Sequence, residues 1–316
     1  MQNKCLDPFK NLNIVSNGEI TEISPCCISP TISAKTIDFH HNDYLKEIRQ
    51  SWDKGLIPAA CKSCEKSPSR KDGSDQWYQD HDINDDTVDL IRIDYWTGNT
   101  CNLKCAICGP KFSSSWAEEL SIPNRKQMIN RHWKHLPLQN LKFIHFNGGE
   151  PLLSKEHVEF LTEIPIKKQV HLNYNTNGTV RPSQQLIDLW KEFQLVQLDF
   201  SIDDIGRRFE YQRFPANWQK TEENLYWCKD NLPVNVMFAI NATISLLNLP
   251  YIEDLKLWLL KNFSVDRKND PIGFRVQDAF GKLSPNTADL VSVRKYLDEL
   301  DDRRNTNWKK LFPHLL

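Results

Sequence analysis

Nine cysteines in a chain of 316 residues are the first groups here that could do chemistry. Eight of them precede residue 109, and they fall into two groups. Cys101-Asn-Leu-Lys-Cys105-Ala-Ile-Cys108 is a CxxxCxxC trio. Cys5, the Cys26-Cys27 pair and Cys61-Lys-Ser-Cys64 make up the other group. The count is odd, and the N-terminus carries no apolar secretory stretch, so reduced thiols are expected. Clustered reduced cysteines point to metal or catalysis. Three thiolates can hold a 4Fe–4S cluster and leave one iron open to a substrate or cofactor. With a fourth ligand such as His132 or His145, the same trio would close a zinc site. The first group offers five thiolates to a four-ligand site and by itself reads as a zinc knob that folds a small unit. Cys228, on a helical stretch beside Trp227, reads as a small buried hydrophobe.

Elements able to position the trio follow from residue 88 onward. Apolar-rich strands are expected at Leu90–Tyr95, Leu141–Asn147, Gln169–Asn175, Val196–Ile202, Val234–Thr243 and Ile272–Gln277. Helices are expected at Ser113–Leu120, Lys155–Glu163, Ser183–Phe193, Trp218–Asn231 and Tyr251–Asn262. Strand alternating with helix implies parallel strands joined by crossovers, hence an α/β fold, an open partial (β/α)6 barrel. The alternation in each strand places Val236, Phe238, Ile240 and Ala242 toward helices. The same parity turns His145 and Asn147; His171, Asn173 and Asn175; and Asp199, Ser201 and Asp203 inward. Asn235, Asn241 and Thr243, with Arg275 and Gln277, join them. A lumen this polar is a binding cavity and not a branched-aliphatic barrel core. Asp199 is the candidate catalytic residue, and pairing with Arg275 is its structural alternative.

Composition narrows the partners. Forty basic against 41 acidic residues leave a formal charge of −1, which gives no footprint for nucleic acid or an anionic membrane. No run approaches the ~20 apolar residues of a membrane span, so a soluble, cytoplasmic protein is expected. Only 11 glycines argue against glycine-rich phosphate loops, and the 10 tryptophans are scattered as core residues would be. The basic stretch 124–135 reads as a solvated helix face. A polar stretch, residues 66–89, reads as a linker and divides the chain. Residues 1–85 are then a small cysteine-bearing unit, 86–284 the barrel, and 285–316 a helical extension that caps the open edge or packs on the small unit.

Cys101, Cys105, Ile107 and Cys108 match CxxxCxΦC, and Asn147-Gly148-Gly149-Glu150-Pro151 follows the second barrel strand. Asn175-Thr176-Asn177-Gly178 ends the third, and Ser201-Ile202-Asp203 lies on the fourth. Four such motifs in order, each at a strand's C-terminal end, resemble the radical SAM superfamily over about residues 88–280. The resemblance implies a 4Fe–4S cluster on Cys101, Cys105 and Cys108 whose open iron chelates S-adenosylmethionine. It further implies contacts to that cofactor from Ile107, Asn147, Gly148, Gly149, Glu150, Pro151, Asn175, Asn177, Ser201 and Asp203. Reductive cleavage would give a 5′-deoxyadenosyl radical that takes hydrogen from a polar substrate, a peptide side chain or a carbohydrate-like alcohol. The N-terminal group resembles the auxiliary-cluster region of SPASM/twitch members, which implies a second 4Fe–4S cluster on Cys5, Cys26, Cys61 and Cys64. Here it precedes the barrel, whereas better-known members carry it afterwards. A closed auxiliary cluster suits oxidative chemistry, and the enzyme would need a one-electron reductant such as flavodoxin or ferredoxin. The alternatives are a zinc-binding interaction protein and a radical SAM enzyme with the barrel cluster alone.

Overall fold

The computed structural model describes residues 4–17, 20–66, 76–122, 132–263, 273–279 and 281–316. A single sheet of nine strands runs through it: β1 (Asn11–Asn17), β2 (Ile20–Ser24), β3 (Ile32–Ala34), β4 (Arg92–Trp96), β5 (Phe143–Asn147), β6 (His171–Thr176), β7 (Leu195–Phe200), β8 (Val236–Ile244) and β9 (Gly273–Asp278). The order is β3-β2-β1-β4-β5-β6-β7-β8-β9, an open sheet with edges at β3 and β9. From β1 through β4 to β9 every neighbour pair is parallel, while β2 and β3 add on antiparallel. The six expected barrel strands are β4 to β9, and the expected α/β architecture is present.

Helices return the chain between strands, α1 (Asp43–Asp53), α2 (Ser114–Glu119), α3 (Glu156–Glu163), α4 (Gln184–Trp190), α5 (Gly206–Gln212), α6 (Trp218–Asn231) and α7 (Ile252–Asn262), and α8 (Leu290–Arg304) follows the last strand. Several start where a short polar side chain takes up an orphan N–H. Asn42, Ser113, Ser183, Asn217 and Asp289 accept from Leu45, Trp116, Leu186, Lys220 and Ser292. These caps fix where each crossover turns back toward the sheet. The core is the helix-facing side of the strands. Ile144, Phe146, Leu172, Tyr174, Leu198, Phe200, Ile240 and Ala242 are all buried there.

Four expectations change. The N-terminal stretch is continuous with the barrel sheet, because β1 pairs in parallel with β4, Asn11 opposite Arg92 and Asn13 opposite Asp94. Asn-Leu-Asn-Ile alternates polar and apolar at period two, and its apolar half, Leu12 and Ile14, enters the main core. Next, the end of the polar stretch 66–89 is packed: Tyr78 is fully buried and donates to the Asp7 carboxylate at 3.0 Å. Residues 67–75 of that stretch, and most of the basic stretch 124–135, lie outside the described residues. Third, α8 packs on the loop that carries the cysteine trio and on α5, in a cluster with Ala106, Trp116, Tyr211 and Leu247. Last, Asn235 does not face inward; its amide donates to the Trp190 and Phe193 carbonyls and ties down the end of α4.

If β1 is part of the barrel core, Leu12→Ala lowers unfolding free energy by about 2–5 kcal/mol. Urea unfolding followed by far-UV circular dichroism and by tryptophan fluorescence checks this. The two probes are expected to coincide in one shifted transition; an early partial transition of the N-terminal unit would contradict sheet continuity.

Candidate active site

The loop leaving β4 carries Cys101, Cys105 and Cys108, and its backbone is held from several sides. Thr97 N–H donates to Asn147 C=O, Gly149 N–H to Gly98 C=O, and Glu150 N–H to Thr100 C=O, at 2.9, 2.9 and 2.7 Å. Gly148 has φ +125°, and a Cβ there would stand 2.6 Å from the Gly98 oxygen. At Gly149 a Cβ would stand 2.3 Å from the Thr100 oxygen. The paired glycines therefore admit the backbone just before Cys101, a closer role than ligand approach alone. Across the loop, Ala106 N–H donates to Gln212 C=O at 2.7 Å, and Trp116 Nε1 donates to Cys105 C=O at 2.9 Å. From α8, Tyr296 Oη donates to Ala106 C=O and Arg304 Nη2 to Lys104 C=O, at 2.7 and 2.6 Å.

Burial raises all three thiols: Cys101 to about 11, Cys105 to about 12, and Cys108 upward. Cys101 and Cys105 each feel Cys108, so the trio shares one electrostatic environment. Arg213 opposes the rise at each of the three. Its guanidinium is buried and bonds Asp203 through Nε at 2.8 Å and Nη2 at 2.7 Å. Asp203 also accepts the Thr243 N–H at 2.8 Å. Asp203 is thus engaged by Arg213, a residue that nothing in its sequence context marked.

Glu150 is buried, accepting from Asn177 N–H at 2.7 Å and from Thr176 Oγ1 at 2.9 Å. Burial raises its carboxyl to about 7. The Asn177 amide donates to Asn102 Oδ1 at 3.0 Å and reaches Cys101 Sγ at 4.0 Å. Ser201 N–H donates to Thr176 C=O at 2.8 Å. Pro151 opens a short turn that Glu150 caps, and Ile107 packs beside the α8 cluster. Asn147, Asn177, Glu150 and Cys101 therefore meet at one end of the sheet.

The inner face is polar in continuous rows: the register aligns Asn13–Asp94–His145–Asn173–Gln197, and beyond it Asn175, opposite Asp199, donates its amide to Asn147 Oδ1 at 2.6 Å. Asp199 accepts from Asn173 at 3.0 Å, Gln197 at 2.7 Å and Arg275 at 3.0 Å. Its pairing with Arg275 is the structural role anticipated for it. Asp94 was not singled out from sequence, although Arg92, Asp94 and Trp96 share the parity of Asn147. His171 Nε2 is buried, and desolvation lowers the imidazole to about 4.

In the N-terminal group, Cys5 is raised by burial and by Asp7, Cys26 and Cys61. Cys61 rises to about 11 through burial, with contributions from Cys26 and Cys64. Cys26 Sγ lies 3.3 Å from Ser29 Oγ. The structure thus brings Cys5, Cys26, Cys61 and Cys64 into one neighbourhood, while Cys27 is exposed and its influence registers at Arg92. Among the described residues, no three Cys, His, Asp or Glu side chains converge on one ion. A single zinc draws thiolates to about 2.3 Å. A cluster would give each thiolate its own iron, and two groups of partly buried soft donors are chemically compatible with that demand.

Two outcomes check this construction. Gly149→Ala lowers unfolding free energy by about 1–3 kcal/mol, because the Thr100 backbone must shift. Gly109→Ala, with open space around its Cβ, stays within about 0.5 kcal/mol. Arg213→Met costs about 3–5 kcal/mol by stranding a buried Asp203, and Asp203→Asn in the same chain recovers much of it. Urea denaturation of the four variants reads both.

The chain is 21% identical over 201 residues to a 7-carboxy-7-deazaguanine synthase of Clostridium acetobutylicum, covering 63% of this chain and 78% of that one. It is 26% identical over 170 residues to a GTP 3′,8-cyclase of Campylobacter lari, covering 54% and 51%. It is 31% identical over 114 residues to a probable GTP 3′,8-cyclase of Methanocella arvoryzae, covering 36% and 34%. The chain thus spans about half or less of the two cyclases. Among solved structures, native anSMEcpe with bound AdoMet aligns with TM-score 0.46 at 17% identity, over 67% of this chain and 59% of that one. Streptococcus suis SuiB aligns with TM-score 0.43 at 12% identity, over 96% and 73%. The family model described as Radical SAM superfamily matches residues 97–247. That stretch, which begins at the held cysteine loop and ends beyond β8, is a radical SAM domain.

Proposed function

We propose that this chain is an oxidative radical SAM enzyme whose polar inner sheet face binds a polar substrate between two cysteine-held iron–sulfur clusters. The carrying observation is the continuity of that face. It runs from β1, where Asn11 bonds the carbonyl preceding Cys26, to the strand ends where Asn177 reaches Cys101. When bound, the barrel cluster and S-adenosylmethionine supply a 5′-deoxyadenosyl radical, the hydrogen-abstracting agent.

The chain's own residues do the rest. Cys101, Cys105 and Cys108 would hold the barrel cluster, and Arg213 lowers the cost of their negative charge. Glu150, Asn147, Asn177 and Ser201, at the same strand ends, would orient the cofactor's polar groups. Cys5, Cys26, Cys61 and Cys64 would hold the auxiliary cluster, with Asn11 and Ser24 bonding the Pro25 and Cys26 carbonyls at 3.0 and 2.8 Å. Asn173, Asn175, Gln197 and Asp199 offer amide and carboxylate partners to a peptide group or a hydroxylated ring. Trp116, Leu283 and Leu300 exclude water around the cysteine loop. The curated relatives named for deazaguanine and GTP chemistry support a second substrate reading, a nucleobase, whose ring edges those amides also suit. The residue ranges 1–85, 86–284 and 285–316 would then be the auxiliary unit, the barrel and a latch on the cysteine loop.

Iron and sulfide content after anaerobic reconstitution tests the reading. About eight irons per chain are expected, falling to about four in a Cys101/Cys105/Cys108→Ala variant. Wild type with reductant should release 5′-deoxyadenosine, and the variant none. Four irons falling to zero would remove the auxiliary cluster, and zinc in place of iron would remove the enzyme.

A further inference from the structure

The row of the inner face nearest the N-terminal cysteines holds a second arrangement. Asp94 is buried on β4, and His145 Nδ1 stands 3.4 Å from its Oδ1. The other oxygen of Asp94 accepts from Asn11 Nδ2 at 3.1 Å, and the same amide donates to Pro25 C=O at 3.0 Å. Arg92 Nη2 lies 3.7 Å from Asp94 Oδ1. Asp94 is therefore an ionised carboxylate, held to about 2 by its contacts with His145, Arg92 and Asn11 against the cost of burial. His145 is less buried, its side chain 22% accessible against 4% for Asp94. The Asn175 amide nitrogen stands 3.0 Å from its Nε2 and the Asn147 amide nitrogen 3.1 Å from its Nδ1, so Asp94 and Asn147 compete for Nδ1, and an Nδ1 hydrogen marks Asp94 as the partner that holds the ring. Carboxylate behind, imidazole in front, and a polar face beyond is the arrangement that orients a histidine for proton transfer.

We propose that His145, oriented by Asp94, is the acid–base residue of this face, and that Asn11 keys the pair to the Cys26 loop. The proposal rests on the oxidative reading above and assigns its proton. For an alcohol or amine substrate, the C–H hydrogen leaves with one electron to the 5′-deoxyadenosyl radical. The remaining O–H or N–H proton passes to His145 Nε2 as the substrate displaces the Asn175 amide from it, and the second electron passes to an acceptor of the iron–sulfur class. The C–O or C–N bond becomes double, and two hydrogens and two electrons are accounted for. Asn11 shortens the linkage between those two destinations to a single amide, which bonds the carboxylate behind the proton acceptor and the carbonyl preceding Cys26. Asp199 is the weaker candidate for this role, being closed in by Asn173, Gln197 and Arg275.

The test uses the iron-loaded chain and needs no substrate. Long-range 1H–15N correlation of histidine side chains reads the tautomer, and diethyl pyrocarbonate with peptide mass mapping reads Nε2 reactivity at fixed neutral pH. His145 is expected to carry its hydrogen on Nδ1 in wild type and to lose that preference in Asp94→Asn. Its acylation is expected to slow about tenfold in Asp94→Asn, with iron content and the reactivity of exposed His41 unchanged. Asn11→Ala is expected to loosen the same tautomer preference while keeping the barrel cluster. An Nε2–H tautomer in wild type, or acylation indifferent to Asp94, overturns the proposal. If Asp94→Asn fails to fold, the wild-type tautomer alone decides. Absence of 5′-deoxyadenosine from wild type would sink the oxidative reading and leave these readouts standing on their own.

Discussion

A buried positive charge among thiols is the constraint on which the rest of the site depends. Taking a cysteine out of water disfavours its thiolate, and three such cysteines close together disfavour it further. Cys101, Cys105 and Cys108 are all in that position, and Arg213 acts against the penalty at each. A buried guanidinium is itself unstable without a partner, so Asp203 must be there, and Asp203 must in turn be fixed by the Thr243 amide. The trio's chemistry thus draws in residues just beyond β7, the segment after α5, and β8. It also explains why Asp203, polar and at a strand end, is spoken for before any cofactor arrives.

The second organising fact is register. Parallel pairing with no slip from β1 to β8 lines up residues of one parity across the sheet. The same registration that buries Ile144, Leu172, Leu198 and Ile240 against helices turns His145, Asn173 and Asp199 the other way. Burial of the apolar set therefore determines which polar groups meet. No separate interaction is needed to assemble them, only to select among their hydrogen bonds.

Much of this was legible in the chain because period-two alternation and strand–helix alternation are local signals. The inward parity of β5, β6 and β7 could be read from His145-Phe-Asn147, His171-Leu-Asn173 and Gln197-Leu-Asp199, since each polar residue flanks an apolar one. β1 was missed for the opposite reason: Asn11-Leu-Asn-Ile sits among cysteines and prolines, and its pairing partner lies 81 residues away, Asn11 opposite Arg92. Arg213 lies in Glu-Tyr-Gln-Arg-Phe, where nothing distinguishes it from a solvated arginine. Its role is created by tertiary approach alone. Tyr78 misled for a related reason, because the polar residues around it outvoted one aromatic ring that the fold buries.

The latch formed by α8 carries one more consequence. Tyr296 and Arg304 satisfy the carbonyls of Ala106 and Lys104, 190 and 200 residues earlier in the chain. In a chain synthesised from its N-terminus, the two cysteine groups emerge from the ribosome long before those donors exist. Until residues 296–304 have been made, the loop between Cys101 and Cys108 is without this anchorage. Any machinery that inserts metal into this loop meets two different substrates: an unlatched nascent chain and a latched finished one.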